Sequence, residues 1–142
     1  MSEFPIFRRD FLQTGSFTLM GATGLSKAVG AQSTSAGDEI WSFQTDSFVY
    51  SSPTVVNGTV FVGTRDSHVY ALNASDGGEE WRFQTRFSFD SSPTVMDGTV
   101  FVGSSNNNVY ALNASDGSEK WRFQTGSGVG SSPTVVNGTV FV

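Results

Sequence analysis

The sequence predicts an all-β fold made of four-stranded antiparallel units, and three observations carry that prediction. First, Ala71-Leu72-Asn73-Ala74-Ser75-Asp76-Gly77 and the following Glu80-Trp81-Arg82-Phe83-Gln84-Thr85 return almost unchanged over residues 111–125, and the end of the stretch stands earlier as Trp41-Ser42-Phe43-Gln44-Thr45. Trp41, Trp81 and Trp121 therefore recur at about 40 residues, the period of a repeat architecture. Second, paired β-branched runs flank Asn57-Gly58, Asp97-Gly98 and Asn137-Gly138, the strongest short-range hairpin signal, because both central residues of a type I′ turn need positive φ. Third, the chain is rich in Val, Phe, Thr and Gly and only 15% charged, as soluble β-rich proteins are. A unit of this length holding four strands has the composition of a propeller blade, so the expected architecture is a partial β-propeller.

Residues 1–31 read as an export signal rather than folded domain. Arg8-Arg9-Asp10-Phe11-Leu12 precedes a mildly apolar run, Phe17 to Val29, which is too short and too interrupted by Gly and Thr to span a membrane. The Arg-Arg-x-Phe-Leu order resembles a twin-arginine leader, with Phe7 and Gln13 departing from the usual residues, and Val29-Gly30-Ala31 offers small residues for cleavage after Ala31. An amphipathic helix or an unstructured tail is the plainer alternative. Residues 32–38 are Ser-, Thr-, Gly- and Ala-rich, as a linker is, and 39–142 hold the repeats.

In the first full unit, strand A is Ser52 to Val56, strand B Thr59 to Val62, strand C His68 to Leu72 and strand D Glu80 to Gln84. Pro53, Pro93 and Pro133 open strand A, where a missing N–H is tolerated. Asn57-Gly58 joins A to B, and Asn73 to Gly77 joins C to D. Four sequons, at Asn57, Asn73, Asn113 and Asn137, fall in these turns, where turn chemistry alone accounts for Asn.

The series Ala-x-Asn-x-x-x-Gly-x-x-x-Trp, carried by Ala71, Asn73, Gly77 and Trp81 and again by Ala111, Asn113, Gly117 and Trp121, resembles the tryptophan-docking motif of the pyrroloquinoline quinone (PQQ)-like repeat. Asn stands here where that family more often has Asp. The resemblance covers Trp41 to Val142. It implies that Trp41, Trp81 and Trp121 pack between neighbouring blades with Gly77 and Gly117 as part of the docking device, rather than stacking on a sugar.

Differences between the units fall mainly in residues 46–50, 86–90 and 126–130, which join D to the next A, and in 64–68 and 104–108, which join B to C. In an up-and-down blade both connections emerge at one end and the two near-constant turns at the other. The variable end is the candidate binding face: Asp46, Phe48, Tyr50, Arg65, Asp66, His68, Arg86, Phe87, Phe89, Asp90, Asn106, Asn107 and Asn108. Aromatic, Arg and Asp residues together suit a protein or glycan partner; a solvated surface that drifts freely is the bland alternative. His68 is the single histidine and cysteine is absent, so no thiolate metal site and no nucleophile–base pair is expected. Asp46 and Asp90 are too scattered to make a calcium site.

The formal net charge of -5 argues against nucleic acid as partner and, with few Lys, hints at a high-salt protein. Quinone-dependent dehydrogenases of the resembled family use an Asp base, calcium and often a vicinal disulfide, whereas other members bind no cofactor and serve as interaction platforms, among them a periplasmic lipoprotein that assists outer-membrane barrel assembly. The expected function is therefore an exported non-catalytic binding or scaffold module without quinone or calcium. A piece of a quinoprotein dehydrogenase and a purely structural self-assembling repeat are the alternatives. Counting strands leaves the ring unfinished, so the chain is expected to be a fragment of a larger propeller or to join copies through open blade edges.

Overall fold

The computed structural model describes residues 2–7 and 39–142. The paired arginines, the apolar run and the linker lie outside the described residues. Among the described residues twelve strands form: β1 (Ser2–Phe7), β2 (Glu39–Thr45), β3 (Thr54–Val56), β4 (Thr59–Gly63), β5 (His68–Asn73), β6 (Glu79–Gln84), β7 (Thr94–Met96), β8 (Thr99–Ser104), β9 (Asn108–Asn113), β10 (Glu119–Gln124), β11 (Thr134–Val136) and β12 (Thr139–Phe141). Two complete antiparallel blades, β3-β4-β5-β6 and β7-β8-β9-β10, are flanked by two-stranded sheets, β1-β2 and β11-β12. This is the expected partial propeller, and the strands A to D of the sequence are β3 to β6.

The hairpin turns behave as their residues dictate. Asn57 and Gly58 have φ of 51° and 81°, and the Asp97-Gly98 and Asn137-Gly138 pairs repeat the pattern. Strand A starts later than expected, at Thr54, because the preceding backbone turns to the neighbouring blade: Ser52 N–H donates to Ser92 Oγ at 2.7 Å and Thr54 Oγ1 donates to the Pro93 carbonyl. Ser92 and Thr94 repeat these bonds toward Ser132 and Pro133. The inner strands β3, β7 and β11 thus converge.

Strands B and C are buried on both faces, which is why they read as unbroken apolar runs. Val60, Val62, Tyr70 and Leu72 pack with Trp41 against the first sheet, while Phe61, Val69 and Ala71 pack with Trp81, Val100 and Val102 against the following blade. Adjacent residues of a strand point to opposite faces, so each blade feeds two cores. By contrast β10 is exposed throughout.

The sequence predicts a leader over residues 1–31 and no strand there, whereas Ser2–Phe7 pair with β2. The pairing reproduces that of strand C on strand D. Phe4 stands opposite Phe43 as Val69 stands opposite Phe83, and the shift between Ile6 and Phe7 falls where β5 shifts between Ala71 and Leu72. Phe4 lies 6.1 Å from Phe43, centroid to centroid. An open D-strand edge with an apolar residue at this register accepts an alternating apolar segment.

Candidate functional site

The docking residues come first, because they fix the spacing of the loops. Trp41 Nε1–H donates to the Ala74 carbonyl at 3.0 Å, and Trp81 Nε1–H to the Ala114 carbonyl at 3.0 Å. Each indole lies against the glycine of the next unit's C–D turn: a Cβ on Gly77 would stand 2.5 Å from Trp41 Cε3, and one on Gly117 2.5 Å from Trp81 Cε3. Both glycines have positive φ, 75° and 73°. Trp121 is 41% exposed and meets Phe101 at 5.8 Å, for no further C–D turn follows among the described residues.

The D–A and B–C connections meet at the opposite end, as expected. Arg65 N–H donates to the Phe48 carbonyl, Phe89 N–H to Thr64, Ser105 N–H to Ser88 and Val129 N–H to Ser104, each at 3.0 Å. Close approach of the two loops needs glycine in strand B, since a Cβ on Gly63 or Gly103 would strike Phe89 or Val129.

Within this face the expected residues separate into groups. Asp66 is the hub of a lock inside the B–C loop, its side chain only 5% exposed. It accepts from Thr64 Oγ1, from Tyr70 Oη at 3.0 Å and from the Asp46 N–H at 3.3 Å, and it lies 3.1 Å from His68 Nδ1. Burial opposes its ionisation, but the bonds from Thr64, His68 and Tyr70 outweigh it and hold the carboxyl below its ordinary range. Burial, together with the Asp66 charge, pushes the Tyr70 phenol up. In the next blade the same lock is neutral: Asn106 Nδ2 donates to Tyr110 Oη at 2.6 Å, and Asn108 Nδ2 to Asn106 Oδ1 at 3.1 Å. Asn107 supplies positive φ, 64°, as Ser67 does at 74°. Asp66, His68, Asn106, Asn107 and Asn108 therefore shape the loops and present little free chemistry.

Phe89 is a correction. It is 0% exposed and packs on Phe83 and Tyr110, so it belongs to the core and not to the binding face. Val49, Phe89 and Val129 share one unit position, and that constant apolarity was the signal. Thr64, Tyr70, Ser104 and Tyr110, which the sequence reading left out, complete the locks; the pattern Thr/Ser-x-Asp/Asn-x-His/Asn-x-Tyr at 64–70 and 104–110 carries them.

What remains outward is centred on the contacting set of Phe48, Tyr50, Arg65 and Asp90. Arg65 Nε and Nη2 donate to Asp90 Oδ1 and Oδ2 at 2.9 and 3.2 Å, and the guanidinium carbon lies 4.3 Å from the Tyr50 ring centroid. The Asp90 carboxylate raises the Arg65 pKa. Phe48, 63% exposed, stands 6.1 Å from Tyr50, and Phe87 is 53% exposed. Asp46 and Arg86 are exposed on the same D–A connections. Bidentate pairing and ring stacking fix an arginine that would otherwise lose rotamer freedom on binding.

A model of one protein family, described as outer membrane protein assembly factor BamB, matches residues 18–89 and 85–142. The chain belongs to this PQQ-like repeat family. A comparison with curated proteins returns no match. Among solved structures, BamB from Moraxella catarrhalis is similar with a TM-score of 0.64 at 19% identity, over 75% of this chain and 34% of that one. Quinohemoprotein alcohol dehydrogenase ADHIIG from Pseudomonas putida HK5 gives 0.63 at 27% identity, over 69% and 17%, and the quinohemoprotein alcohol dehydrogenase of Comamonas testosteroni 0.55 at 23%, over 62% and 17%. The chain thus spans about a third of the first and about a sixth of each of the others. These likenesses establish the propeller fold of antiparallel blades.

The dehydrogenase names raise the question of a quinone. Thr54 and Thr94, which open the converging inner strands, and Ser52 and Ser92 just before them bond to the next blade's Ser and Pro. None of these four is a cation able to pair with a quinone carboxylate.

Proposed function

We propose that the chain is an exported, non-catalytic propeller module that binds a protein partner, with a glycan as the second choice, through the face made by its D–A and B–C loops. The observation that carries this reading is Arg65 stacked on Tyr50 and held by Asp90, with exposed Phe48 against Tyr50 and exposed Phe87 on the Asp90 loop, on the face where the units differ. The best buried carboxylate among the described residues, Asp66, accepts from three donors and has its pKa held below the ordinary range, a poor starting point for a general base. The family model's description, an outer-membrane protein assembly factor, names work done on proteins. Export rests on Arg8-Arg9-Asp10-Phe11-Leu12 with cleavage after Ala31, and the two blades serve as a segment of a larger ring or of a ring built from copies.

The test replaces Phe48, Arg65, Arg86 and Phe87 by Ala together in the full chain and follows a co-purifying partner from the native exported fraction. Loss of the partner with an unchanged unfolding curve is expected; undiminished recovery contradicts the reading. The 27% identity to a quinohemoprotein dehydrogenase favours one rival, a dehydrogenase segment. A quinone titration followed by absorbance separates the two, and saturable binding with calcium would favour the rival.

A further inference from the structure

We propose that Asn57 and Asn137 carry N-linked glycans while Asn73 and Asn113, which share the sequon, stay bare. The inference rests on the export reading, since only an exported chain meets a membrane oligosaccharide transferase. All four sequons lie at the end opposite the variable loops, but their surroundings differ. Asn57 and Asn137 sit in two-residue hairpin turns at φ of 51° and 48°. Both are exposed, and a Cβ on Gly58 or Gly138 would meet nothing within 4 Å. The Asn57 turn has one backbone tie, the Gly58 carbonyl accepting from Ala74 N–H at 2.8 Å, and among the described residues no partner holds either carboxamide. Thr59 Oγ1 donates to Glu80 at 2.9 Å in an exposed bond, which water replaces at little cost.

Asn73 and Asn113 are held. Asn73 Oδ1 accepts from Ser75 N–H at 2.9 Å and from Ser75 Oγ at 2.6 Å, and Asn113 Oδ1 accepts from the N–H and Oγ of Ser115 at 3.1 and 3.0 Å. The middle residue of each sequon is pinned as well. Ala74 gives its carbonyl to Trp41 and its N–H to Gly58, and Ala114 does the same for Trp81 and Gly98. A transferase cannot draw out either segment without undocking an indole from between the blades.

In the reaction the Asn Nδ2 attacks the anomeric carbon of an oligosaccharide carried on a polyprenyl phosphate or diphosphate. A C–N bond forms, the C–O bond to the phosphate breaks, and the Nδ2 proton passes to a base of the transferase. No oxidant or reductant is involved. Glycans at these turns would cover the constant end, about 17 Å of strand away from the variable loops, and leave the Arg65 patch free. Asp97 shows that the turn itself does not require Asn, and its unit lacks the sequon.

The experiment expresses the full chain twice in a host with an N-oligosaccharide transferase, once with its own leader and once behind an added general secretory leader, and maps glycopeptides by mass. Expected are occupied Asn57 and Asn137, bare Asn73 and Asn113, and loss of every glycopeptide in Asn57→Asp/Asn137→Asp. Modification behind the added leader alone would uphold the sites and overturn the native export signal. Translocated protein with bare Asn57 and Asn137, or with Asn73 and Asn113 equally occupied, would overturn the inference.

Discussion

Gly77 and Trp41 are one device split across two units. With about 200 Å² of indole removed from water at about 25 cal/mol per Å², each docked Trp contributes on the order of 5 kcal/mol at most. Gly77→Ala meets both a positive φ and an indole carbon 2.5 Å from the new methyl, so a loss of about 2–4 kcal/mol is expected in denaturant unfolding followed by Trp fluorescence. Gly58→Ala meets only the φ cost, about 1 kcal/mol. Equal losses would show that the docking contact is incidental. Asp66 makes a second residue-scale prediction. Its folded-state pKa is depressed, so its contribution is present above the ordinary carboxylate value, about 4, and is lost as pH falls through the folded value. Asp66→Asn should cost about 1 kcal/mol at neutral pH, since Asn106 fills the same place next door, and the gap to the parent should close in acid. A gap constant with pH would contradict the lock. The Trp–Gly pairing was legible because a large ring and a glycine recur at fixed spacing. Phe89 was not read correctly, because a loop between variable residues looks outward until its apolar equivalents Val49 and Val129 are set beside it.

At the level of strands, the alternating runs and Asn-Gly or Asp-Gly turns were legible because each is set by local backbone chemistry. The shortened strand A was not, since inter-blade bonds from Ser52 and Thr54 are long-range and leave no local pattern. Nor was β1, because Ser2–Phe7 resembles the start of a leader and its partner lies far along the chain. Its register repeats that of β5, so removal of residues 1–31 should bare the outer edge of β2 together with Phe43. Light scattering is expected to show stronger self-association of a chain beginning at Gln32 than of the full chain. Equal masses at matched concentration would mean that β1 protects nothing.

The whole molecule is sided. Constant turns at one end hold the indoles and the sequons, and variable loops at the other hold the Arg65 patch. Repeats make such sidedness readable within one chain, because positions that preserve docking stay fixed while those at the far end are free to diverge. Which divergent residues remain available was not readable, for the locks around Asp66 and Asn106 depend on Tyr70 and Tyr110 reaching back from strand C. The most direct measurement places a photo-crosslinking side chain at Phe87, on the variable face, or at Met96, beside the constant turn, and irradiates the exported fraction of native cells. The account predicts a discrete adduct from Phe87 and none from Met96. An adduct from Met96 with none from Phe87 would put the binding face at the wrong end of the molecule.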